Sequence, residues 1–406
     1  MSTSTRTLAL ICGVFLAAGT MLSSMGPILP FLAERTGQDL ATMSWIFTAL
    51  SGGVVLTQPG FGPVSDRLGL RAVLVAGMIL MGGAMLAASL TSSLAGLLVT
   101  TLLAGIGFGG VLAAGNVLVA RLFANHSATA LNGLNVFFGV GAILGPAVVG
   151  QAGARLGLPQ AALWLGGGLI LALSPLVLWL AVAPPTGQHH RKIVSGPTPH
   201  VSIWLIGLLL LIYTGTEIGF AGWVTVYIAR SAGLAISEAA LVASAFWLAL
   251  TGGRVLGAAL GMRMTARALL LTALCGLLAG AGLLALSVGG SSWLALAGVM
   301  LFGLSCGPVF PTAMALITAA ARGGNSAAGL ALGMGNSGGI MLPALMGMLL
   351  ARYGPSAMVG MLLTCALMML ALGACALRVP AGGLKPPARF TKAAESASDR
   401  SLQRPS

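Results

Sequence analysis

Long apolar stretches alternate with short polar breaks along almost the whole chain, and the stretches are too long for the helices of a water-soluble core. Crossing the ~30 Å hydrocarbon layer of a bilayer takes about 20 consecutive apolar residues in a helix. Twelve stretches meet that length: 7–32, 42–64, 72–91, 95–122, 127–156, 161–183, 201–231, 237–260, 266–289, 291–320, 325–352 and 355–378. Most breaks are a few residues long, which predicts that consecutive helices run antiparallel and side by side. Two segments depart from this rhythm. Residues 184–200 hold Pro pairs, His189, His190, Arg191 and Lys192 and are expected to form a linker; residues 379–406 are polar, Pro-rich and basic and are expected to form a disordered tail. The predicted fold is all-α integral membrane, with twelve transmembrane helices in two six-helix pseudo-symmetric bundles, 1–183 and 201–378.

Composition explains what solvates such a chain. Only 7% of residues are charged and 57% are hydrophobic, whereas a soluble domain carries about 25% charged residues. Lipid must cover most of the surface. The 60 glycines suit close packing of membrane helices. A net charge of +13 in a soluble protein would suggest nucleic acid, but these cations sit in short loops and the tail. No aromatic and basic residues interleave as a stacking platform for bases, so no nucleic-acid partner is expected. With both termini inside, the inner segments hold fifteen of the 20 basic residues and the outer loops hold four, Arg35, Arg155, Arg230 and Arg352. The excess of positive charge on cytoplasmic loops then predicts cytoplasmic termini and a cytoplasmic 184–200, in a bacterial-type inner membrane. The first apolar run has no convincing cleavage site and is expected to be retained. Cys12, Cys275, Cys306, Cys365 and Cys375 lie in apolar runs without ligand-like spacing and are expected to be buried small residues.

A repeat supports the division into halves. Residues 139–157 read GVGAILGPAVVGQAGARLG and residues 336–354 read NSGGIMLPALMGMLLARYG. At a constant offset of 197 they share Gly141/Gly338, Ile143/Ile340, Pro146/Pro343, Gly150/Gly347, Ala154/Ala351, Arg155/Arg352 and Gly157/Gly354. These are spans five and eleven, as duplicated six-helix halves require, and internal repeats of this kind mark transporters.

The turn after span two, Gly62–Arg71 (GPVSDRLGLR), resembles the helix 2–3 signature of the major facilitator superfamily, G-x-x-x-D-R-x-G-x-R. The resemblance implies that Gly62, Asp66, Arg67, Gly69 and Arg71 form a conformational latch joining the two halves in the outward-open state. Gly62 would let two helices approach closely. Four further segments, 105–123, 135–146, 213–227 and 246–257, are similar to helices 4, 5, 7 and 8 of the fucose–proton symporter branch. That branch has acidic residues in helices 1 and 4. Here helix 1 offers only Thr20, Ser23 and Ser24, and helix 4 has Ala113 and Ala114 before Asn116, which puts fucose and that branch's proton site in doubt. Gly141-x-x-x-Gly145-Pro146 also resembles the helix 5 motif of drug–proton antiporters.

Of seven acids, only Glu217 falls inside a span, about 24 Å along a helix starting near Val201. An acid at that depth usually marks a substrate or ion path, and low-dielectric surroundings favour its neutral, protonated form. Glu217 is therefore the expected proton-coupling residue. Tyr213, Glu217, Phe220, Val224 and Tyr227 share one helical side, with Trp223 flanking it, and rings beside polar groups suit a sugar-like or amphipathic solute. Arg254 is the one basic residue within a span, on the same side of helix 8 as Trp247 and Thr251. It lies roughly 10 Å from the cytoplasmic end, a different depth from Glu217. It can pair with Glu217, bind an anion or reach the inner surface. Asn116, Asn135 and Asn336 can each bridge helices or read a hydroxyl-bearing ligand. The expected solute-binding set is Tyr213, Glu217, Phe220, Trp223, Asn116, Asn135, Asn336, Trp247 and Arg254. Neither a phosphate-binding loop nor a second intramembrane carboxylate or His is present in the sequence, so an ATP-driven pump and a membrane enzyme are disfavoured. The resulting expectation is a monomeric, proton-coupled secondary transporter importing a small polar or sugar-like solute without cofactor or metal. An efflux antiporter for amphipathic compounds and a non-transporting sensor stand as alternatives.

Overall fold

A computed structural model describes the backbone of residues 3–123, 127–179, 201–320 and 325–378, with side chains at 5–123, 129–179, 201–318 and 333–378. The linker 184–200, the tail 379–406 and the bases Arg191, Lys192 and Arg322 lie outside the described residues.

The described chain forms thirteen helices: α1 (Thr3–Thr36), α2 (Leu40–Met43), α3 (Trp45–Leu68), α4 (Leu70–Leu90), α5 (Leu94–Leu122), α6 (Ser127–Leu156), α7 (Ala161–Leu178), α8 (Val201–Ala232), α9 (Ile236–Gly261), α10 (Ala266–Leu286), α11 (Ser292–Ala320), α12 (Asn325–Tyr353) and α13 (Pro355–Arg378). Twelve stretches are long and apolar enough to span a bilayer, with α2 and α3 together making the second. Each matches an apolar stretch of the sequence, and helix ends differ by a few residues. Within the described residues the start of α1 and the end of α13 lie on one face of the bundles, the terminal face, opposite a far face.

The helices form two bundles with corresponding internal contacts. In the first, α1 packs on α6 and α7, α5 on α3 and α4, and α4 on α7; in the second, α8 packs on α12 and α13, α11 on α9 and α10, and α10 on α13. The repeat supplies the physical reason. A Cβ on Gly141 would collide with the Leu16 carbonyl of α1, and a Cβ on Gly338 would collide in the same way with the Leu211 carbonyl of α8. Only glycine lets the two backbones cross so closely, so the crossing is kept at equivalent places in both halves. Gly145 of the Gly-x-x-x-Gly-Pro motif packs against Thr20 and Ser23 of α1. In this structure the motif serves helix packing.

The bundles meet across α1/α8, α3/α12 and α6/α9, and the contacts cluster between mid-membrane and the far face. Gly26 abuts Gly222, Gly150 abuts Ser237, and Thr48 Oγ1 donates to Ile340 O at 2.6 Å. The Phe47 and Trp223 rings meet edge-on at 5.8 Å. On the terminal side of this seam Gln58, Gly62, Asn132 and Asn135 are exposed, so the interface opens toward the termini.

Two of the four arginines at the far face hold helix ends. Arg35 donates to the Ser89 and Leu90 carbonyls at the end of α4, and Arg230 Nη1 donates to Leu350 O at 2.9 Å near the end of α12. Carbonyls in a last turn lack helical donors and attract cations.

Candidate functional site

The sole intramembrane acid and base of the described residues face each other. Arg254 Nη2 lies 3.8 Å from Glu217 Oε1, with the Arg254 side chain 37% exposed and the Glu217 side chain 14% exposed. Counting residues along each helix puts the two at different depths, but side-chain direction closes the gap. Every Cα–Cβ bond tilts toward its helix N-terminus. The N-terminus of α8 is at the terminal face and that of α9 at the far face, so Glu217 and Arg254 lean toward one another. Backbone packing fixes the frame: Gly253 meets Leu304, and Gly307 meets the Gly253–Arg254 backbone, so α9 and α11 touch without intervening side chains.

The separation decides how strong the link is. Two unit charges about 4 Å apart attract by about 1 kcal/mol in water and about 4 kcal/mol at an effective dielectric of 20. Over a third of Arg254 is exposed, so screening pulls the value down, to about 1 kcal/mol or less. Charge-assisted hydrogen bonds are about 2.7–2.9 Å long, and this contact falls short of one. A ligand or a proton can exchange with it.

Tyr213, one turn below Glu217, donates its hydroxyl to Cys306 O of α11 at 2.8 Å. Tyr213 and Cys306 both neighbour the Glu217 carboxylate. Phe220 and Trp223 are fully buried. Phe220 packs against Phe302 at 4.8 Å and Phe246 at 5.3 Å, and Trp223 Nε1 donates to Pro343 O at 2.9 Å. The aromatic side of α8, expected to face solute, instead packs within the protein in this conformation: Tyr213, Phe220 and Tyr227 against α9, α10 and α11, and Trp223 against α12. Only Glu217 on that side keeps access to solvent. Periodicity groups residues on a face but does not say whether a cavity or a neighbouring helix covers it.

Asn116 and Asn336 are half-buried. Asn135 is exposed, and its Nδ2 donates to Leu131 O of its own helix at 3.2 Å. None of the three joins the Glu217–Arg254 contact. Trp247 and Thr251 are part-buried on the Arg254 side of α9, and both carry polar atoms without partners, as does Ser244. Those orphaned groups are the feature that reading the sequence underweighted; the i, i+3, i+7, i+10 spacing of Ser244, Trp247, Thr251 and Arg254 was the available signal. Cys12, Cys306 and Cys365 are buried as expected, whereas Cys275 and Cys375 are exposed. Among the described residues no group of three His, Cys, Asp or Glu could hold a metal ion.

The signature turn lies apart from this centre on the terminal face. Gly69 joins α3 to α4 alone, at φ +85°, a conformation L side chains resist. Asp66 and Arg71 both have interaction partners, and Arg67 is exposed. The expected close approach at Gly62 is absent here: a Cβ added there would meet no atom of the described residues within 4 Å.

Twelve helices in two matching bundles, with a charge pair beside the seam, define a membrane carrier. The family model described as Major Facilitator Superfamily matches residues 10–342, and the chain belongs to that superfamily of membrane transporters. It is 28% identical over 163 residues to the MFS-type transporter SLC18B1 of Rattus norvegicus, covering 38% of this chain and 36% of that one. It is 35% identical over 91 residues to the 4-hydroxybenzoate transporter PcaK of Pseudomonas putida, covering 22% and 20%. The alignments thus span well under half the length of these relatives. The crystal structure of the nucleoside transporter NupG superposes with a TM-score of 0.73 at 14% identity, over 93% of this chain and 98% of that one; a likeness at that identity concerns the fold.

Proposed function

We propose that this chain is a proton-coupled secondary transporter that imports a small polar or sugar-like solute by alternating access, with Glu217 as the coupling acid. The observation that carries the reading is the Glu217–Arg254 contact at 3.8 Å, a meeting of opposite charges deep within the spans. Protonation of Glu217 releases Arg254, and ionisation restores the contact. Proton binding thereby changes which groups are available beside the seam. Asn116, Asn336, Trp247 and Arg254 are the solute-contacting candidates with some access, and Asn135 can join them from α6. Tyr213, Phe220 and Trp223 hold the frame and reach solute only if α8 repacks during the cycle. Gly62, Asp66, Arg67, Gly69 and Arg71 act as the latch that joins the halves when the terminal side closes. The reading includes bundles at 1–183 and 201–378, joined by a linker at 184–200. It also places both termini and the basic tail 379–406 in the cytoplasm of a cell with an inner membrane, and takes the carrier to be a monomer.

The test starts with a thermal-shift screen of purified protein to find a stabilising solute, followed by flux in proteoliposomes under pH gradients of either polarity. Wild type should accumulate solute when the entry side is acidic. Glu217→Gln imitates the protonated acid; it should keep solute exchange and lose accumulation driven by the gradient. Accumulation by Glu217→Gln with unchanged pH dependence would remove Glu217 from coupling. Uptake that rises when the solute side is alkaline would assign the antiport reading instead, and binding without flux would assign the sensor.

A further inference from the structure

The face of α9 that carries Arg254 also carries three buried polar atoms without a hydrogen-bond partner: Ser244 Oγ, Trp247 Nε1 and Thr251 Oγ1. At about 100° per residue, the four side chains fall within roughly 80° around the helix. The row faces the seam between the bundles, because the Thr251 hydroxyl abuts Gly139 of α6. Arg254 leans toward the others, since side chains tilt toward the N-terminus of α9.

The chemistry of this row is one-sided. Arginine and the tryptophan indole only donate hydrogen bonds, and the two hydroxyls have donors to give. Among the described residues the anionic acceptor that meets the row is Glu217, at 3.8 Å from Arg254. Each buried donor left unpaired costs about 1–3 kcal/mol, so the row favours a ligand that brings acceptors without donors. An ionised carboxylate has acceptors only, whereas a polyol brings as many donors as hydroxyls. We propose that the row Trp247, Thr251 and Arg254, with Ser244 at its far end, binds the carboxylate of a small organic acid in exchange for Glu217. This deepens the transporter reading and rests on it. The incoming proton goes to the Glu217 carboxylate, Arg254 turns from Glu217 to the ligand oxygens, and the ligand stays ionised. The groups facing Glu217 are Arg254 from α9, Cys306 from α11 and Tyr213 from its own helix. On α13, Cys365 faces Thr216 instead; the described part of α12 brings Arg352 and Tyr353 only, at its far end, and α1 brings the buried Cys12, nearer the terminal face than Glu217.

The experiment titrates purified full-length protein with acetate, lactate and benzoate and with their neutral amides, at about pH 6 and about pH 8, reading melting temperature and heat of binding. At least one acid should bind, its amide at least about tenfold more weakly, and the acid more tightly at the lower pH, because binding takes up a proton at Glu217. Arg254→Gln should weaken the acid about tenfold or more and Trp247→Phe about fivefold. Arg254→Lys, which keeps the charge without the fork, should recover part of the loss and shows that the loss is not misfolding. Glu217→Gln should bind the acid with no difference between the two pH values. Amides binding as well as acids, no acid binding at either pH, or Arg254→Gln binding like wild type in a folded protein would each overturn the proposal. Proton-driven uptake of a neutral solute that depends on Glu217 would leave the coupling reading intact while this one fails. Carboxylate binding at Arg254 with uptake indifferent to Glu217→Gln would do the reverse.

Discussion

Replacing Gly338 with alanine tests the frame on which the charge pair is built. The added Cβ would strike the Leu211 carbonyl and come within 2.8 Å of Leu211 C and 3.0 Å of Gly215 N. All three are backbone atoms, which cannot rotate away as a side chain can. α8 and α12 must therefore part by the order of 1 Å, and a gap of that size forfeits a quarter to a half of the dispersion attraction at each contact along the crossing. Overpacking of this kind costs about 1–3 kcal/mol. For a unit the size of one bundle that is a fall in melting temperature of roughly 2–12 °C. Gly360 of α13 provides the control: no atom lies within 4 Å of its added Cβ, so Gly360→Ala should be neutral or raise stability by about 0.5–1 kcal/mol, the helix preference for alanine. The assay is thermal unfolding in one detergent at one scan rate, because membrane-protein melting is often irreversible and rate-dependent. Gly141→Ala should behave like Gly338→Ala, and the double variant should sum the two, since the sites lie in different bundles. A Gly338→Ala protein that melts at or above wild type would refute the close-crossing argument, and with it the structural meaning given to the repeat.

Two further outcomes follow from the loops. Gly69→Ala forces a side chain into φ +85°; it should cost about 1–2 kcal/mol and slow transport more than it alters solute affinity, and a large loss of equilibrium binding in folded protein would contradict a latch role. Asp39 caps α2 by accepting the Thr42 N–H at 2.8 Å, and that hydrogen bonding, with Arg352 in support, holds its carboxyl below the usual carboxylate range. Its stabilising contribution is therefore full above the unfolded value near 3.9 and fades as pH falls through the lowered one. Asp39→Ala should lower the melting temperature by about 1 °C at neutral pH and lose that difference in strong acid, which melting curves across pH would check.

Much of the architecture is legible in the sequence because its signals are long and redundant. A run of about 20 apolar residues has few alternatives to a membrane helix, and one shared pair of the repeat, Gly141/Gly338, falls where the backbones cross. The centre is less legible. Glu217 and Arg254 stand out as lone charges within spans, yet their distance depends on helix polarity and side-chain lean rather than on residue count. Tyr213, Phe220 and Trp223 illustrate the opposite difficulty: rings beside an acid look like a solute wall, and their burial shows that neighbouring helices claim them first. Gly62 is a glycine whose close approach, if it forms, belongs to a different conformation.

The charges of the centre both belong to the second bundle, on α8 and α9, while the first bundle offers that region hydroxyls and amides. Rocking one bundle against the other therefore need not pull the pair apart, and the consequence is electrical. An empty carrier with Glu217 ionised holds one negative and one positive charge and returns across the membrane with no net charge to move. A proton together with a monoanion preserves that neutrality, whereas a proton together with a neutral solute leaves one positive charge in transit. Each unit charge crossing a 100 mV potential changes the free energy by about 2.3 kcal/mol. Whether a membrane voltage alone drives the loaded carrier thus reports the charge of its cargo, without any need to know which molecule it is.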